Sequence, residues 1–419
     1  MSPTRDPGET RRLALSFTYF ALLLASYYLI RPVRDALAAG LGAGQIKYLA
    51  SAVFVVMLAI VPVFGWLIAR VPRSRLLPGT YLFFVTNLVA FAAAFHAAPD
   101  NVWSARLFYV WTTVFNLFVV SVFWSFMADI WREEQGRRLF GVIAAGGSFG
   151  GLVGPLIARL SVGSVGTEGL TLLAAGLLAL TVVTIMRLTR DARRAAEGSA
   201  ATDKPLARLD EPVGGAILAG LARLATSPFL LGIAALVALG SVLGMIVYIE
   251  LAKSAATAYA TAVERAAFFS QRDIWVNGGS LFMQLLVVGV LSTYLGVRRT
   301  LVGSAAIAAV AFTALVMAPL TGILVAVNVV LRVTEFGIGK PNRDMLYTVV
   351  DEETKYKVKN LVDTVVYRGS DVLSGWIHAG LTAIGLSLAA IAGVAMLIAM
   401  LMMAIAYGVG TGYRNRGGA

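Results

Sequence analysis

Cysteine is absent from this sequence of 419 residues, and only two histidines occur, His96 and His378. The absence of cysteine excludes disulfide bonds and thiolate metal sites, and two histidines are too few for a histidine metal cluster. The sequence also contains no phosphate-binding P-loop, no dinucleotide fingerprint and no recognisable Ser-His-Asp triad. We therefore expect a protein that is not an enzyme and that holds no cofactor.

Charged residues are scarce as well, at 14% of the chain, whereas hydrophobic residues reach 58% and the mean hydropathy is +0.79. Soluble domains average about 45–50% apolar and about 25% charged residues. This composition predicts an all-α membrane protein, because each transmembrane helix needs about 20 mostly apolar residues. Twelve such runs occur, at residues 13–37, 48–69, 78–98, 107–130, 139–160, 170–188, 229–251, 275–294, 301–318, 323–339, 361–384 and 386–407.

One long stretch between the sixth and seventh runs, residues 190–227, has an aqueous composition. It predicts a cytoplasmic linker between an N-terminal half of six helices, residues 1–189, and a C-terminal half, residues 228–419. Most of the 35 lysines and arginines fall on the inner side of the predicted spans, so the positive-inside rule predicts that both termini are cytoplasmic. This bias explains the net charge of +12 through contact with anionic lipids. We therefore expect the lipid bilayer, and no nucleic acid, as a partner.

Charged residues interrupt the first apolar run at Arg31, Arg34 and Asp35. A charge at the centre of a span costs roughly 2.5 to 3.5 kcal/mol on insertion scales, and such residues commonly mark transport paths. Their spacing places all three on one helix face. Several converging cations suit a phosphorylated anion, which predicts a substrate-binding role. In the alternative, Arg34 pairs with Asp35 at the outer membrane interface while Arg31 extends to water.

Further charged residues lie in or beside apolar runs of the second half. The candidate substrate-binding residues among them are Glu250, Lys253, Arg332, Glu335, Arg368 and Asp371. The spacing of Arg332 and Glu335 also suits a local salt bridge, and Glu335 is equally a candidate proton site. A run of glycines at Gly146, Gly147, Gly150, Gly151 and Gly154 lies within the fifth apolar run. We predict that these glycines pack helices closely rather than bind phosphate.

Two short basic loops repeat between the halves. Gly65, Leu67, Arg70 and Arg73 follow the second run and match the pattern Gly-x-Leu-x-Asp-Arg-x-Gly-Arg-Arg. A related sequence lies at the equivalent place in the second half, at residues 289–299, and overlaps the end of the eighth run. The pattern resembles the loop between helices two and three of the major facilitator superfamily. This resemblance implies twelve helices in two halves that are parallel repeats.

Longer segments resemble the ATP/ADP translocase family of nucleotide transporters, which includes shorter bacterial relatives. The segments are residues 27–35, 122–130, 136–141 and 351–363. The resemblance assigns the first-helix cation to Arg34 and an acid-base pair of the seventh helix to Glu250 and Lys253. A lysine of the eleventh helix in the exchangers corresponds to Asp371, so the charge is inverted here.

The leading functional hypothesis is a secondary transporter of the bacterial inner membrane that exchanges a nucleotide or a related phosphorylated anion by alternating access. The alternative is a proton-coupled major-facilitator carrier of another metabolite, a muropeptide or a drug. Glu250, Glu335 or Asp371 would then bind and release the coupling proton. A non-transporting membrane sensor or assembly protein is a third hypothesis. We expect a small-molecule anionic substrate and a monomer.

Overall fold

A computed structural model describes residues 8–70, 73–131, 133–197 and 223–418, and within these ranges the chain is almost wholly helical. The helices are α1 Glu9–Gly40, α2 Ile46–Arg70, α3 Arg73–Ala97, α4 Val102–Ile130, α5 Glu133–Glu197, α6 Pro228–Ala258, α7 Ala262–Phe282, α8 Val288–Met317, α9 Thr321–Thr334, α10 Lys340–Leu346, α11 Glu352–Leu361, α12 Tyr367–Ala383 and α13 Leu388–Arg414. Short π-helical segments at Met283–Val287, Glu335–Gly339 and Val362–Val366 join neighbouring helices into longer passes.

Two glycines divide the longest helices. Gly166 has φ of 69° inside α5, and Gly296 has φ of 72° inside α8. Residues with a side chain rarely adopt a positive φ, so glycine permits a sharp turn between two spans at each point. Division at these glycines, with the π-helical joins, yields twelve helical passes in the described part of the chain. The predicted all-α fold of twelve transmembrane helices is confirmed.

The eighth pass begins earlier than the apolar pattern predicted. Helix α7 starts at Ala262, whereas the predicted span began at residue 275. Its first turns include Glu264, Arg265, Arg272 and Asp273. Only nine helical segments of the described residues are long and apolar enough to be recognised as spans, and one of them, Arg138–Arg194, contains two passes. The eighth and eleventh passes fall below that threshold because they carry several ionised side chains.

Polar side chains begin several of the helices outside the apolar spans. The Asn101 side chain accepts hydrogen bonds from the backbone N–H groups of Trp103 and Ser104 at 2.9 and 3.2 Å. The Ser387 hydroxyl accepts one from the Ala390 N–H at 3.3 Å. Such capping satisfies N–H groups that have no partner within the helix. These caps set where α4 and α13 start.

The glycine run of α5 packs against α1. Added β-carbons at Gly146, Gly150 and Gly154 would overlap backbone carbonyl oxygens of α1, and at Gly154 the distance to the Ala25 oxygen would be 2.7 Å. Only a residue without a side chain allows this approach. The prediction that these glycines serve helix packing is confirmed.

The helices group into two compact units. The first unit contains α1, α3, α4, α5, the part of α2 from residue 55, and residues 259–274 at the start of the eighth pass. The second unit contains residues 42–54, α6, and the chain from residue 275 onward. Most of the predicted linker, residues 198–222, lies outside the described residues.

Candidate functional site

A cluster of buried charges in the first unit joins α1 to α7. Asp35 is fully buried, and its Oδ1 accepts hydrogen bonds from Nε and Nη2 of Arg34 at 2.9 and 2.6 Å. Its Oδ2 accepts a hydrogen bond from Nη2 of Arg272 at 2.8 Å. Two arginines thus neutralise one aspartate that the membrane interior would otherwise disfavour.

A second aspartate extends the cluster. Asp273 Oδ1 accepts hydrogen bonds from Arg272 Nη2 at 2.7 Å and Nε at 3.1 Å, and it lies 3.6 Å from Arg31 Nη1. Asp273 Oδ2 is buried and has no hydrogen-bond partner among the described residues. Three arginines and two aspartates therefore form one ionic network, named here the α1–α7 charge cluster, with a net charge of +1 when all are ionised.

Aromatic rings support the arginines of this cluster. The Arg31 guanidinium carbon lies 5.4 Å from the centre of the Tyr28 ring, and that of Arg34 lies 5.3 Å from the centre of the Tyr109 ring. Stacking of this kind stabilises a cation where water is excluded and holds the planar guanidinium in one orientation. The rings therefore fix the direction in which the hydrogen-bond donors of Arg31 and Arg34 point.

The structure separates the two sequence-based interpretations of the first helix. The alternative pairing of Arg34 with Asp35 is confirmed. The extension of Arg31 into water is wrong, because its side chain is only 12% exposed and faces Asp273. Sequence reasoning missed Arg272 and Asp273, since the apolar run was placed after them. The signal available in the sequence was the pair of adjacent opposite charges directly before the predicted eighth span.

In the second unit, Glu250 has two basic neighbours. Its Oε1 lies 2.7 Å from Nε2 of His378, and both side chains are buried. Its Oε2 lies 3.9 Å from Nζ of Lys253, whose side chain is 56% exposed. The predicted proximity of Glu250 and Lys253 is present, but the closer partner is His378. Sequence spacing predicts contacts only between residues of the same helix. It therefore could not predict this contact, which joins α6 to α12.

Arg332 and Glu335 do not form the predicted local salt bridge. Glu335 accepts hydrogen bonds from Nη1 and Nη2 of Arg343, at 2.9 and 2.5 Å, instead. Among the described residues Arg332 forms no ion pair, and its guanidinium carbon lies 5.9 Å from the centre of the Phe336 ring. The salt-bridge prediction is wrong because Glu335 binds Arg343 instead. Arg343 lies on α10, directly after the π-helical segment Glu335–Gly339, and its guanidinium binds the carboxylate of Glu335 through two nitrogens.

A small cavity of the second unit lies at Arg332. Its volume is about 50 Å³, and its lining includes Gly240, Gly244, Ser304, Arg332 and Glu335. The Gly244 position approaches the Arg332 guanidinium to 3.8 Å from an ideal β-carbon. The two glycines leave room beside this cation, so a small anionic group would find hydrogen-bond donors there.

The pair in the eleventh pass is formed as its spacing suggests. Arg368 Nη1 lies 3.3 Å from Asp371 Oδ2, and the Ser241 hydroxyl donates to Asp371 Oδ1 at 2.5 Å. Asp371 thus links α12 to α6. Its charge is balanced within the second unit by Arg368.

Outside the spans, the segment before the eleventh pass is a helix with a polar start. Asp351 precedes α11, and its Oδ2 accepts a hydrogen bond from the Thr354 N–H at 2.9 Å. This bond, with a further one from the Thr354 hydroxyl, holds the pKa of Asp351 below its ordinary value. The segment Glu352–Leu361 is therefore a short helix with a capped start, and Lys359 in its last turn pairs with Asp344 at 2.8 Å.

The candidate residues thus fall into two groups. The first unit holds Arg31, Arg34 and Asp35; the second unit holds Glu250, Lys253, Arg332, Glu335, Arg368 and Asp371. Each of the four candidate acids has a basic partner among the described residues. The residues that sequence reasoning missed are Arg272, Asp273, His378 and Arg343.

Twelve helical passes with ionised side chains buried between them define a multi-pass membrane carrier. Residues 14–339 match the Major Facilitator Superfamily, and the chain belongs to that family. No curated protein matches the sequence significantly.

Solved structures show the same fold. A bacterial homologue of the human lysosomal transporter Spinster shares 13% identity with a TM-score of 0.62, and the match covers 98% of both chains. A bacterial homologue of the iron transporter ferroportin shares 12% identity with a TM-score of 0.66, covering 98% of this chain and 100% of the other. A POT family transporter in complex with a conjugated peptide also has 12% identity and a TM-score of 0.66, covering 95% and 96%. At these identities the likeness concerns the fold alone.

Proposed function

We propose that this major-facilitator transporter is a secondary carrier of a phosphorylated anion, with nucleotides of the ATP and ADP type as the leading candidates. The observation that carries the proposal is Arg332. It lines a cavity and forms no ion pair among the described residues, while the neighbouring Glu335 is occupied by Arg343. A guanidinium that lines a cavity and forms no ion pair among the described residues is suited to a phosphate oxygen.

The charge balance of the α1–α7 charge cluster supports the same substrate class. Its three arginines outnumber its two aspartates, and Arg34 occupies the position of the first-helix cation in the translocase resemblance. Lys253 contributes a further, half-exposed ammonium in the second unit. Alternating access, with residues 1–189 and 228–419 as the two halves, is the transport mechanism proposed for this carrier.

Transport by purified protein in proteoliposomes tests the proposal. Labelled ATP, ADP and inorganic phosphate are offered with and without the same unlabelled solute inside. Accumulation that requires internal solute would support exchange of a phosphorylated anion. No counterflow of any of these anions by a folded wild-type protein would overturn the proposal.

The Arg332→Ala variant provides the residue-level prediction. We expect a reduction of anion uptake of at least tenfold, because one lost charge-assisted hydrogen bond costs about 1.5 kcal/mol or more. The matched control is Arg414→Ala, which removes an exposed arginine at the end of α13. Equal uptake by the two variants would show that Arg332 does not contact the substrate.

A second candidate function is proton-coupled transport of another metabolite, a muropeptide or a drug. The observation that favours it is the buried contact between Glu250 and His378, since both side chains bind protons. In the same proteoliposomes, uptake of a non-phosphorylated solute that is abolished by collapsing the pH gradient would favour this function. A sensor or assembly protein would transport neither the phosphorylated anions nor the non-phosphorylated solute.

A further inference from the structure

The second half of α5, after Gly166, has an exposed face that changes from apolar to basic along its length. The residues of this face recur every three or four positions, and all of them are exposed: Leu173, Gly176, Leu180, Val183, Arg187, Arg190 and Arg194. Such spacing places them in one row along the helix. We name this row the α5 stripe. Its first four residues are apolar, and its last three are arginines.

The protein does not neutralise the arginines of the α5 stripe within its described part. Among the described residues none of the three forms an ion pair, and the acid next to Arg190 in the sequence, Asp191, is bound by Arg11 Nε at 3.0 Å. The helix dipole favours Arg194, which lies in the last turn of α5. Because that effect fades within one turn of the helix end, it does not account for Arg187 and Arg190.

The apolar part of the α5 stripe places the arginines at the membrane surface. At 1.5 Å of rise per residue, Arg187 lies about 6 Å and Arg190 about 10 Å beyond Val183 along the helix axis. The polar headgroup layer on each side of the hydrocarbon core is about 5–8 Å thick. If Val183 marks the edge of the hydrocarbon, the guanidinium groups of Arg187 and Arg190 are within reach of the lipid phosphates.

We propose that the basic end of the α5 stripe is a binding site for an anionic phospholipid. Arg187 and Arg190 bind the phosphate of the headgroup, since a guanidinium can donate two parallel hydrogen bonds to phosphate oxygens. An acyl chain of the same lipid covers Leu180 and Val183. The occupant is a lipid rather than a free phosphate, because the arginines continue an exposed apolar row. An anionic headgroup is preferred to a zwitterionic one, whose own cation reduces its attraction to the arginines. This site is independent of the transported substrate.

Lipid binding at the α5 stripe can be measured with a fluorophore on a single cysteine, because the chain has no other cysteine. The full-length Val183→Cys protein is labelled and reconstituted in phosphatidylcholine vesicles that contain either brominated phosphatidylglycerol or brominated phosphatidylcholine. Bromine on the acyl chains quenches a fluorophore in contact with them, so the two quenching curves give the relative affinity for the anionic lipid. We expect phosphatidylglycerol to bind more tightly, by about fivefold for each arginine at the surface.

Leu173→Cys at the other end of the α5 stripe is the matched control. Its label lies on the same row about 15 Å before Val183, far from the arginines, and should show no preference between the two lipids. Absence of a preference at Val183 would overturn the proposal. An equal preference at both positions would also overturn it, because the attraction would then be a property of the bilayer and not of the site.

Substitution of Arg190 tests the residue assignment in the labelled Val183→Cys protein. Arg190→Gln should reduce the preference for phosphatidylglycerol about fivefold, whereas Arg190→Lys should retain most of it because the charge is kept. Arg414→Gln removes an exposed arginine of the second unit and should leave the preference unchanged. An equal loss in Arg190→Gln and Arg414→Gln, or no loss in either, would show that the arginines of the stripe do not hold the lipid.

Discussion

At the residue scale, Asp35 and Asp273 hold three arginines within the first unit. Each guanidinium in the α1–α7 charge cluster has an aspartate oxygen within 3.6 Å. Ionised groups in a low-dielectric interior persist only when they are paired. The cluster therefore has a stabilising role that is separable from any contact with substrate.

The Asp35→Asn variant tests that role. It retains the size of the side chain but leaves Arg34 and Arg272 without one neutralising charge, and we expect a loss of about 3–5 kcal/mol in the free energy of unfolding. Thermal unfolding in detergent measures the effect. Asp100→Asn, in the exposed turn before α4, is the matched control, and similar melting temperatures for both variants would contradict the prediction.

Sequence reasoning identified Arg31, Arg34 and Asp35 because charges stand out in an apolar run. It did not identify Arg272 and Asp273, because the apolar run was placed after them, and it did not identify His378, because its partner Glu250 lies far away in the sequence. Local spacing predicts contacts within one helix, as with Arg368 and Asp371. It failed for Arg332 and Glu335, where a residue on the next helix offered a stronger partner.

At the element scale, the close packing of α1 and α5 depends on glycine. Gly150 faces the α1 backbone, and an added β-carbon would overlap the Ala21 carbonyl oxygen. Helices in a bilayer gain their stability from such close contact, because the lipid provides no hydrophobic driving force between them.

Gly150→Leu should therefore destabilise the first unit, whereas Gly163→Leu on the same helix should be tolerated. Nothing lies within 4 Å of an ideal β-carbon at Gly163. We expect a lower melting temperature and lower yield of folded protein only for Gly150→Leu. Equal melting temperatures would show that α1 and α5 can separate without cost.

At the scale of the whole molecule, we propose that the protein lies in a bacterial inner membrane with both termini in the cytoplasm. The even number of passes and the distribution of lysine and arginine support this orientation. The turn between α3 and α4 would then face the outside, and the end of α13 would face the cytoplasm.

The absence of cysteine makes this orientation directly measurable. A single cysteine at Asp100→Cys should react with a membrane-impermeant maleimide added outside intact spheroplasts. One at Arg414→Cys should react only after the membrane is opened or inverted. The reverse labelling pattern would contradict the proposed orientation. The wild type, which has no cysteine to react with the maleimide, is the control in both preparations.

The amino-acid sequence by itself determined the class of protein, because twelve apolar runs commit the chain to twelve membrane-spanning helices. It also identified charges such as Arg31, Arg34 and Asp35, which are visible against an apolar background, but not Arg272 and Asp273, which lie before the predicted eighth span. Only the tertiary structure decided the partners of those charges. Buried ions are neutralised by whichever opposite charge the packing of helices brings near, and for Asp35 and Glu250 those partners, Arg272 and His378, lie on other helices.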